Sequence, residues 1–388
     1  MKLWSYFVIV TGIIFLFGLI FNLMNRTDVK TFSLSYIRVN KEQIRQILAT
    51  QKANPPECVE LSKLLTLTPK RFKDDDFIDL FKKTQKCTWY RNSEANQKFR
   101  ARLTNCCNAI QNFTVTQVNT ALGANLTYDA QPKKQITITE DIFNLLPQNG
   151  SISRSSHFIY QTEPFKLPLS KLCAVVGNGG ILTNSSCGEE IDQADFVFRC
   201  NLAPIVGRGD DVGLKTDLVT ANPSIMSIKY QSLNFRRKPF WESTKVYGKA
   251  FILLPAFSYL SNTGIVFKVS YTLEDFGSKL QPIYLNPSYI VNITQFWKSV
   301  GVSETRLSSG LIVLSAALEL CDEVWLYGFW PFSKNMEGMK IFNHYYDNVP
   351  PKQSAHVMPR EFYRLLQLHT KGILKLRAGK CKNKPTDI

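Results

Sequence analysis

Leu172-Cys173-Ala174-Val175-Val176-Gly177-Asn178-Gly179-Gly180 decides the fold. An uncharged apolar run with adjacent valines reads as a short buried strand, and the glycines end it. Outward from it, helical and strand signals alternate. Ser186 to Ala194 reads as helix and Asp195 to Cys200 as a second strand. Asp217–Thr220, Phe251–Leu254 and Pro282–Leu285 read as further strands, the last two each followed by a helical segment. Leu311–Leu320 is an apolar helix leading into a strand over Glu323–Tyr327, and Pro359–Thr370 is a last helix with proline in its first turn. This alternation predicts an α/β fold with a largely parallel sheet flanked by helices.

Glycines at a strand end admit two readings. They let a nucleotide or phosphate approach the backbone, or they make a tight structural turn. The dinucleotide fingerprint needs glycine at 182, where Leu182 stands, and the second strand ends in Arg199-Cys200-Asn201 without a ribose-binding acid. A nicotinamide enzyme is thereby disfavoured. The histidines are His157, His344, His356 and His369. His344 and His356 lie twelve residues apart in a polar segment, and an imidazole titrating near neutral pH suits proton transfer. Zinc binding is the rival reading, but the spacing fits no standard motif.

The chain has 388 residues and a net charge of +16, which suits an anionic partner. The basic residues are dispersed, which weakens a nucleic-acid reading. Leu3 to Met24 carries no charge and reaches about 33 Å as a helix, enough to cross a bilayer. An uncleaved signal anchor is the favoured reading, against a cleaved signal peptide or a core helix. It implies a cytosolic tail at 1–2, an anchor at 3–24, a polar stem at 25–90 and a lumenal domain at 91–388 with its core at 171–388. A helix around Gln97 to Ile110 precedes a loop-rich stretch. Glycosylation sequons at Asn112, Asn125, Asn149, Asn184 and Asn292 fit lumenal exposure. So do nine dispersed cysteines without a Cys-x-x-Cys, read as a few long-range disulfides and at least one free thiol. Cys106 and Cys107 are not expected to bond each other, because adjacent α-carbons sit about 3.8 Å apart, below the usual disulfide range. Asp74-Asp75-Asp76 contains an Asp-x-Asp, but with Lys82 and Lys83 following it reads as the acidic first turn of a short amphipathic helix.

Four stretches together carry a resemblance. Cys173 to Gly180, running through Phe196-Val197-Phe198-Arg199-Cys200-Asn201 to Asp217, resembles the large sialylmotif of the animal sialyltransferases. Arg306-Leu307-Ser308-Ser309-Gly310, running through Cys321 to Gly328-Phe329-Trp330, resembles the small motif. His344-Tyr345-Tyr346-Asp347 resembles the third motif, and His356 with Glu361 the very small one. Asn222-Pro223-Ser224 and the run Gly328 to Phe332 point to the α-2,8 branch, and Phe99 to Phe113 is similar to its type VI members.

The resemblance implies a Rossmann-like variant of the glycosyltransferase A-type fold. It implies a single-pass type II protein of the Golgi membrane with a lumenal catalytic domain. The donor would be CMP-sialic acid, used without metal or other cofactor. The acceptor would be a sialylated glycoprotein or glycolipid extended at the 8-hydroxyl with inversion. One or a few residues added to O-glycans is favoured, with a ganglioside acceptor or an inactive glycan-binding scaffold as alternatives. It assigns His356 as base and His344 as the donor of hydrogen bonds to the leaving phosphate, aided by the helix opening at Ser308-Ser309-Gly310. Asn178 and Asn201 would contact donor phosphate and ribose, Asn222, Pro223 and Ser224 would line the donor site, and Gly328, Phe329 and Trp330 would wall the cytidine. The same match implies bridges Cys173–Cys321 and Cys187–Cys381, with Cys200 left free.

Overall fold

The computed structural model describes residues 55–65, 73–148, 170–302, 306–351 and 358–381. The expected anchor at 3–24, most of the expected stem, Asn149, His157 and His356 lie outside the described residues. The chain divides into two units, Met1–Glu60 and Leu61–Ile388. Of the first only 55–60 is described, the opening turns of a helix. No described helix is long and apolar enough to cross a membrane.

The second unit is built on an eight-stranded sheet. Its strands are β1 (Thr114–Val115), β4 (Ser170–Val176), β5 (Phe196–Arg199), β6 (Leu218–Thr220), β7 (Phe251–Leu254), β8 (Gln281–Leu285), β9 (Cys321–Tyr327) and β10 (Lys375–Arg377). A separate hairpin is formed by β2 (Asn125–Tyr128) and β3 (Gln131–Thr137). The sheet order is β1-β8-β7-β6-β5-β4-β9-β10. Only β1 runs antiparallel to its neighbour; the other ladders are parallel.

Alternation along β4 sorts the core into two layers. Cys173 and Val175 face a cluster shared with the helices Pro287–Ser299, Ser309–Leu320 and Met358–Thr370. Ala174 and Val176 face a second cluster, which includes Met226, Phe240 and Val266 from the helices Pro223–Tyr230, Arg237–Thr244 and Leu260–Asp275. Burial on both faces explains why β4, β5 and β7 read as continuous apolar runs.

Two expectations need correction. Residues 73–90, read as stem, are packed into the second unit. The helix Asp74–Gln85 does have acids in its first turn and Lys82 and Lys83 in its last. Its Phe77 and Phe81 are buried, and the rings stand within 6 Å of Phe332, Tyr363, Trp330 and Phe362. The charged surface of this helix masked its apolar face in the sequence. Second, Cys106 and Cys107 are joined by a disulfide across a Cα separation of 3.8 Å. The usual lower limit on Cα distance describes cysteines on separate segments; here the connecting peptide itself holds the two side chains close. Cys173 is bonded to Cys321 and Cys187 to Cys381, Cys58 and Cys87 are also oxidised, and Cys200 is free and buried.

His369 is buried at the end of the last helix. Its Nδ1 accepts the Leu376 N–H at 3.1 Å, and its ring stacks on Trp89. Burial, helped by the Lys375 charge, pushes its pKa down to about 4. The unfolded chain therefore takes up a proton between about pH 6.5 and 4 that the folded chain refuses. This contribution is present above pH 6.5 and is lost as pH falls through that window, by about 3 kcal/mol in all. Urea unfolding across pH 7 to 4 should show this slope in the wild type, and it should be shallower by up to one proton in His369→Gln.

Candidate active site

In chain order β4 to β8 step one way across the sheet, while β9 returns to the other side of β4. The carboxyl ends of β4 and β9 therefore flank the point where the winding reverses, where open α/β sheets form a crevice. The Gly177–Gly180 loop lies there. Gly177 N–H donates to Tyr327 O at 2.7 Å and Gly179 N–H to Gly328 O at 2.9 Å. A Cβ at Gly180 would lie 2.1 Å from the Phe342 carbonyl oxygen. The glycines are thus required by the chain's own backbone. A β-bridge between Gly179 and His344 draws the third-motif histidine to this loop.

His344 Nδ1 stands 2.5 Å from Asp347 Oδ2, and its ring stacks on Tyr346 with centroids 5.1 Å apart. Burial works against the Asp347 charge, but hydrogen bonds from the His344 ring and the His344 and Val349 N–H groups hold its pKa below the usual carboxylate value. The carboxylate fixes one ring nitrogen of His344. Asn178 is bound on both sides: its amide donates to Cys200 O at 3.0 Å and its carbonyl accepts Tyr345 N–H at 3.1 Å. Cys200 is no thiolate nucleophile, because burial pushes its thiol up to about 12.

The other motif residues form a chain of contacts across the crevice. Asn201, at φ 63°, donates its N–H to the Thr220 hydroxyl oxygen at 2.8 Å. Its Oδ1 accepts the Asn222 N–H at 3.0 Å. Asn222 Oδ1 in turn accepts Ser309 Oγ at 3.3 Å. Ser308 caps the helix Ser309–Leu320 by accepting Leu311 N–H at 3.1 Å, and its Oγ donates to Glu361 Oε2 at 2.6 Å. Ser308 N–H also donates to Glu361 Oε1 at 3.1 Å. The buried Glu361 thereby ties the last helix to the small-motif helix. Pro223 and Ser224 open their helix just beyond Asn222, with Ser224 exposed. The Phe329 ring lies over Gly310, where a Cβ would stand 2.8 Å away. Trp330, in contrast, points into the core: its Nε1 donates to Lys334 O at 2.7 Å, and its ring packs on Phe81, Phe332 and Phe362. Of the sequons, Asn125 and Asn184 are exposed, and Asn112 and Asn292 are half-buried.

A cleft of about 570 Å³ adjoins this network, sharing Asn222 and Ser309 with it. Its further walls include Asp129, Tyr259, Lys298 and Arg306. Asp129 sits in the turn of the β2–β3 hairpin, held by its N–H to Phe257 O at 3.3 Å. Burial raises its pKa, against a hydrogen bond from Ser258 and the Arg306 charge. The guanidinium of Arg306 lies over the Tyr259 ring at 4.8 Å. Asp129, Tyr259 and Lys298 escaped the sequence reading, since no local pattern marks them. Among the described residues no group of three or more His, Cys, Asp and Glu side chains could hold a metal.

The chain matches the model of glycosyltransferase family 29 (sialyltransferase) over residues 111–373. It is 48% identical over 314 residues to an alpha-2,8-sialyltransferase 8F of Mus musculus, covering 81% of this chain and 76% of that one. It is 47% identical to an alpha-N-acetylneuraminide alpha-2,8-sialyltransferase of Xenopus laevis, covering 76% of this chain and 78% of that one. A crystal structure of a mammalian sialyltransferase aligns with TM-score 0.44 and 21% identity, over 76% of this chain and 99% of the other.

Proposed function

This chain belongs to glycosyltransferase family 29, the sialyltransferases, in the α-2,8 branch, and we propose that it transfers sialic acid from CMP-sialic acid to the 8-hydroxyl of a sialylated O-glycan. The observation that carries this reading is the convergence of the four motif stretches. Segments dispersed between Cys173 and Glu361 meet at the carboxyl ends of β4 and β9 through the Gly179–His344 bridge and the Asn201–Asn222–Ser309 and Ser308–Glu361 contacts.

The chemistry follows from the reaction. Sialic acid leaves CMP as an oxocarbenium-like species while the acceptor oxygen attacks from the opposite face, with inversion. The acceptor hydroxyl must lose its proton as the new bond forms, and His356 takes it. The departing phosphate gains charge, and His344, held by Asp347, donates to it. The amino end of the helix Ser309–Leu320 adds its dipole and free N–H groups. Asn178 and Asn201 hold the donor, and Phe329 over Gly310 walls the cytidine. No metal is needed. The Rossmann-like glycosyltransferase A-type assignment, the anchor at 3–24 and a Golgi lumenal location belong to the same proposal. The absence of a long basic run favours one or a few residues added per chain end.

The test is to incubate the full chain in detergent with CMP-sialic acid and sialylated O-glycoprotein or sialylated glycolipid. CMP release above the donor-only rate is expected, with the O-glycan preferred, an 8-linked product, and no loss in EDTA. No acceptor-dependent CMP release would refute the transfer. Loss in EDTA restored by manganese would refute the metal-free mechanism, and preference for the glycolipid would refute the O-glycan assignment.

A further inference from the structure

The two most exposed large apolar side chains among the described residues are Phe235, 89% exposed, and Ile228, 84% exposed. Single exposed apolar residues are ordinary, so exposure alone decides nothing. These two, however, flank one strained turn. Gln231, Ser232 and Leu233 are consecutive and left-handed, with φ of 50°, 55° and 57°. Residues with a Cβ enter that region at a cost, and usually one at a time. The turn is pinned on both sides. Leu233 is buried, and Lys268 Nζ donates to Asn234 Oδ1 at 2.6 Å. Arg237 Nε donates to the Thr272 hydroxyl at 2.9 Å, and the same guanidinium pairs with Asp275. Phe235 is thus held between two residues bound to the helix Leu260–Asp275. Tyr271, on the same stretch of that helix, is 44% exposed. Strain kept in place to hold an aromatic ring in water points to a contact.

The charge around these side chains is one-sided. From Ile228 to Lys249 the chain carries Lys229, Arg236, Arg237, Lys238, Lys245 and Lys249 against Glu242 alone. The neighbouring helix adds the exposed Glu274 and Asp275, the second of them taken by Arg237. Arg236 and Lys238 are exposed close to Phe235 in the chain. Trp241 stacks on Phe276 with centroids 5.0 Å apart, and Lys245 Nζ stands 3.6 Å from the Trp241 centroid. An indole with an ammonium over it suits the boundary between acyl chains and headgroups.

We propose that this face is a membrane-docking surface, on which Phe235 and Ile228 enter the acyl boundary of a bilayer while Arg236 and Lys238 meet its anionic headgroups. A fluid surface admits two protruding apolar side chains without a complementary pocket, whereas a protein partner would have to supply one. The excess of cations complements anionic lipid, and each cation near such a surface adds to the binding. The uncharged run Leu3–Met24, expected as an anchor, supplies the bilayer, and docking adds a second hold to it. The helix that carries Ile228 starts at Pro223, next to Asn222 of the donor network, so docking would also fix how the crevice faces the bilayer. The inference does not depend on the transferase reading, and none of its residues belongs to the proposed site.

The test reconstitutes the full chain carrying Phe235→Trp in nanodiscs of phosphatidylcholine, with or without phosphatidylserine, and with or without bromine on the acyl chains. Bromine quenches an indole only at close range. Wild type, with its own tryptophans including Trp4 in the expected anchor, gives the background. Extra quenching in the Phe235→Trp protein is expected, strongest in anionic discs and weakened by salt. Adding Arg236→Gln and Lys238→Gln should lower the docked-to-undocked ratio on anionic discs, read from the quenched fraction, by about 10- to 30-fold. Adding Ile228→Ser instead should lower it by about 10-fold. The replaced side chains are exposed, so the urea midpoint should stay at the wild-type value. Hydrogen exchange reads the same surface without any substitution: wild-type amides over 231–238 should exchange more slowly in anionic discs than in zwitterionic ones. No quenching beyond the wild-type background, or exchange that is the same in both kinds of disc, would overturn the docking surface. An emission shift that grows with protein concentration in detergent and ignores brominated lipid would give the face to a second copy of the chain and overturn it as well.

Discussion

Replacing His356 by alanine is expected to lower kcat by about 10²–10⁴-fold while leaving CMP binding within about two-fold of wild type. An alcohol near neutral pH is a poor nucleophile, and its proton must leave as the carbon–oxygen bond forms. A base contributes only in that transition state, so its loss appears in kcat rather than in donor affinity. The helix that follows is tied to the donor network by Glu361, whose two oxygens take the Ser308 N–H and hydroxyl. His344→Ala should act differently. With the Asp347-oriented imidazole gone, the leaving phosphate loses a hydrogen bond, and the penalty should shrink for donors with a better leaving group. Single-turnover kinetics of both variants would check this. A His356→Ala enzyme turning over at more than half the wild-type rate, or one that no longer binds CMP, would remove His356 as the base.

How much was legible depended on how local the signal was. β7 was readable because a fully buried parallel strand is apolar on both faces, and β4 because its Cys173–Val176 stretch is buried throughout and ends in glycine. The helix Ser309–Leu320 was readable because nearly every residue is buried and Ser308 supplies a cap. The β2–β3 hairpin was not: its β3 strand, Gln131-Pro132-Lys133-Lys134-Gln135-Ile136-Thr137, is mostly exposed and shows no alternation. Asp129 was invisible for the same reason, since it enters the cleft only because its backbone pairs with Phe257, far along the chain. The resemblance assigned Trp330 to the cytidine wall; its ring packs instead on Phe81 and Phe362, contacts between segments far apart in sequence that no local pattern shows. The helix Asp74–Gln85 shows the limit of composition: half its residues are charged, yet Phe77 and Phe81 anchor it.

Removing the Cys173–Cys321 bridge by a double change to alanine should cost about 5 kcal/mol of stability, a third or more of what a domain commonly has. The bridge closes a loop with a sequence separation of 148, joining β4 to the start of β9 across a Cα distance of 6.1 Å. Alanine is the informative choice because both sites are buried, and a serine hydroxyl there would add its own unsatisfied polar group. The cost falls on the unfolded chain, which regains the freedom that the loop denied it. The folded state keeps the β4–β9 ladder, whose register runs from Ser170 opposite Cys321 to Val176 opposite Tyr327. That ladder already sets the Gly177 loop against Gly328, so the variant should retain its kcat at low temperature while it is still folded. The Cys187–Cys381 bridge, with a separation of 194, has a comparable entropic worth, but its tail is also held by Arg377 paired with Glu190 and by Cys381 N–H donating to Ser185 O at 2.9 Å. Its removal should therefore leave β10 docked and lower stability without fraying the sheet edge. Urea unfolding, kcat at 10 °C and hydrogen exchange at Lys375–Arg377 measure the three claims separately. A Cys173/Cys321 variant that keeps its unfolding midpoint but loses kcat would mean that the bridge shapes the donor crevice itself, and the entropic account would fall.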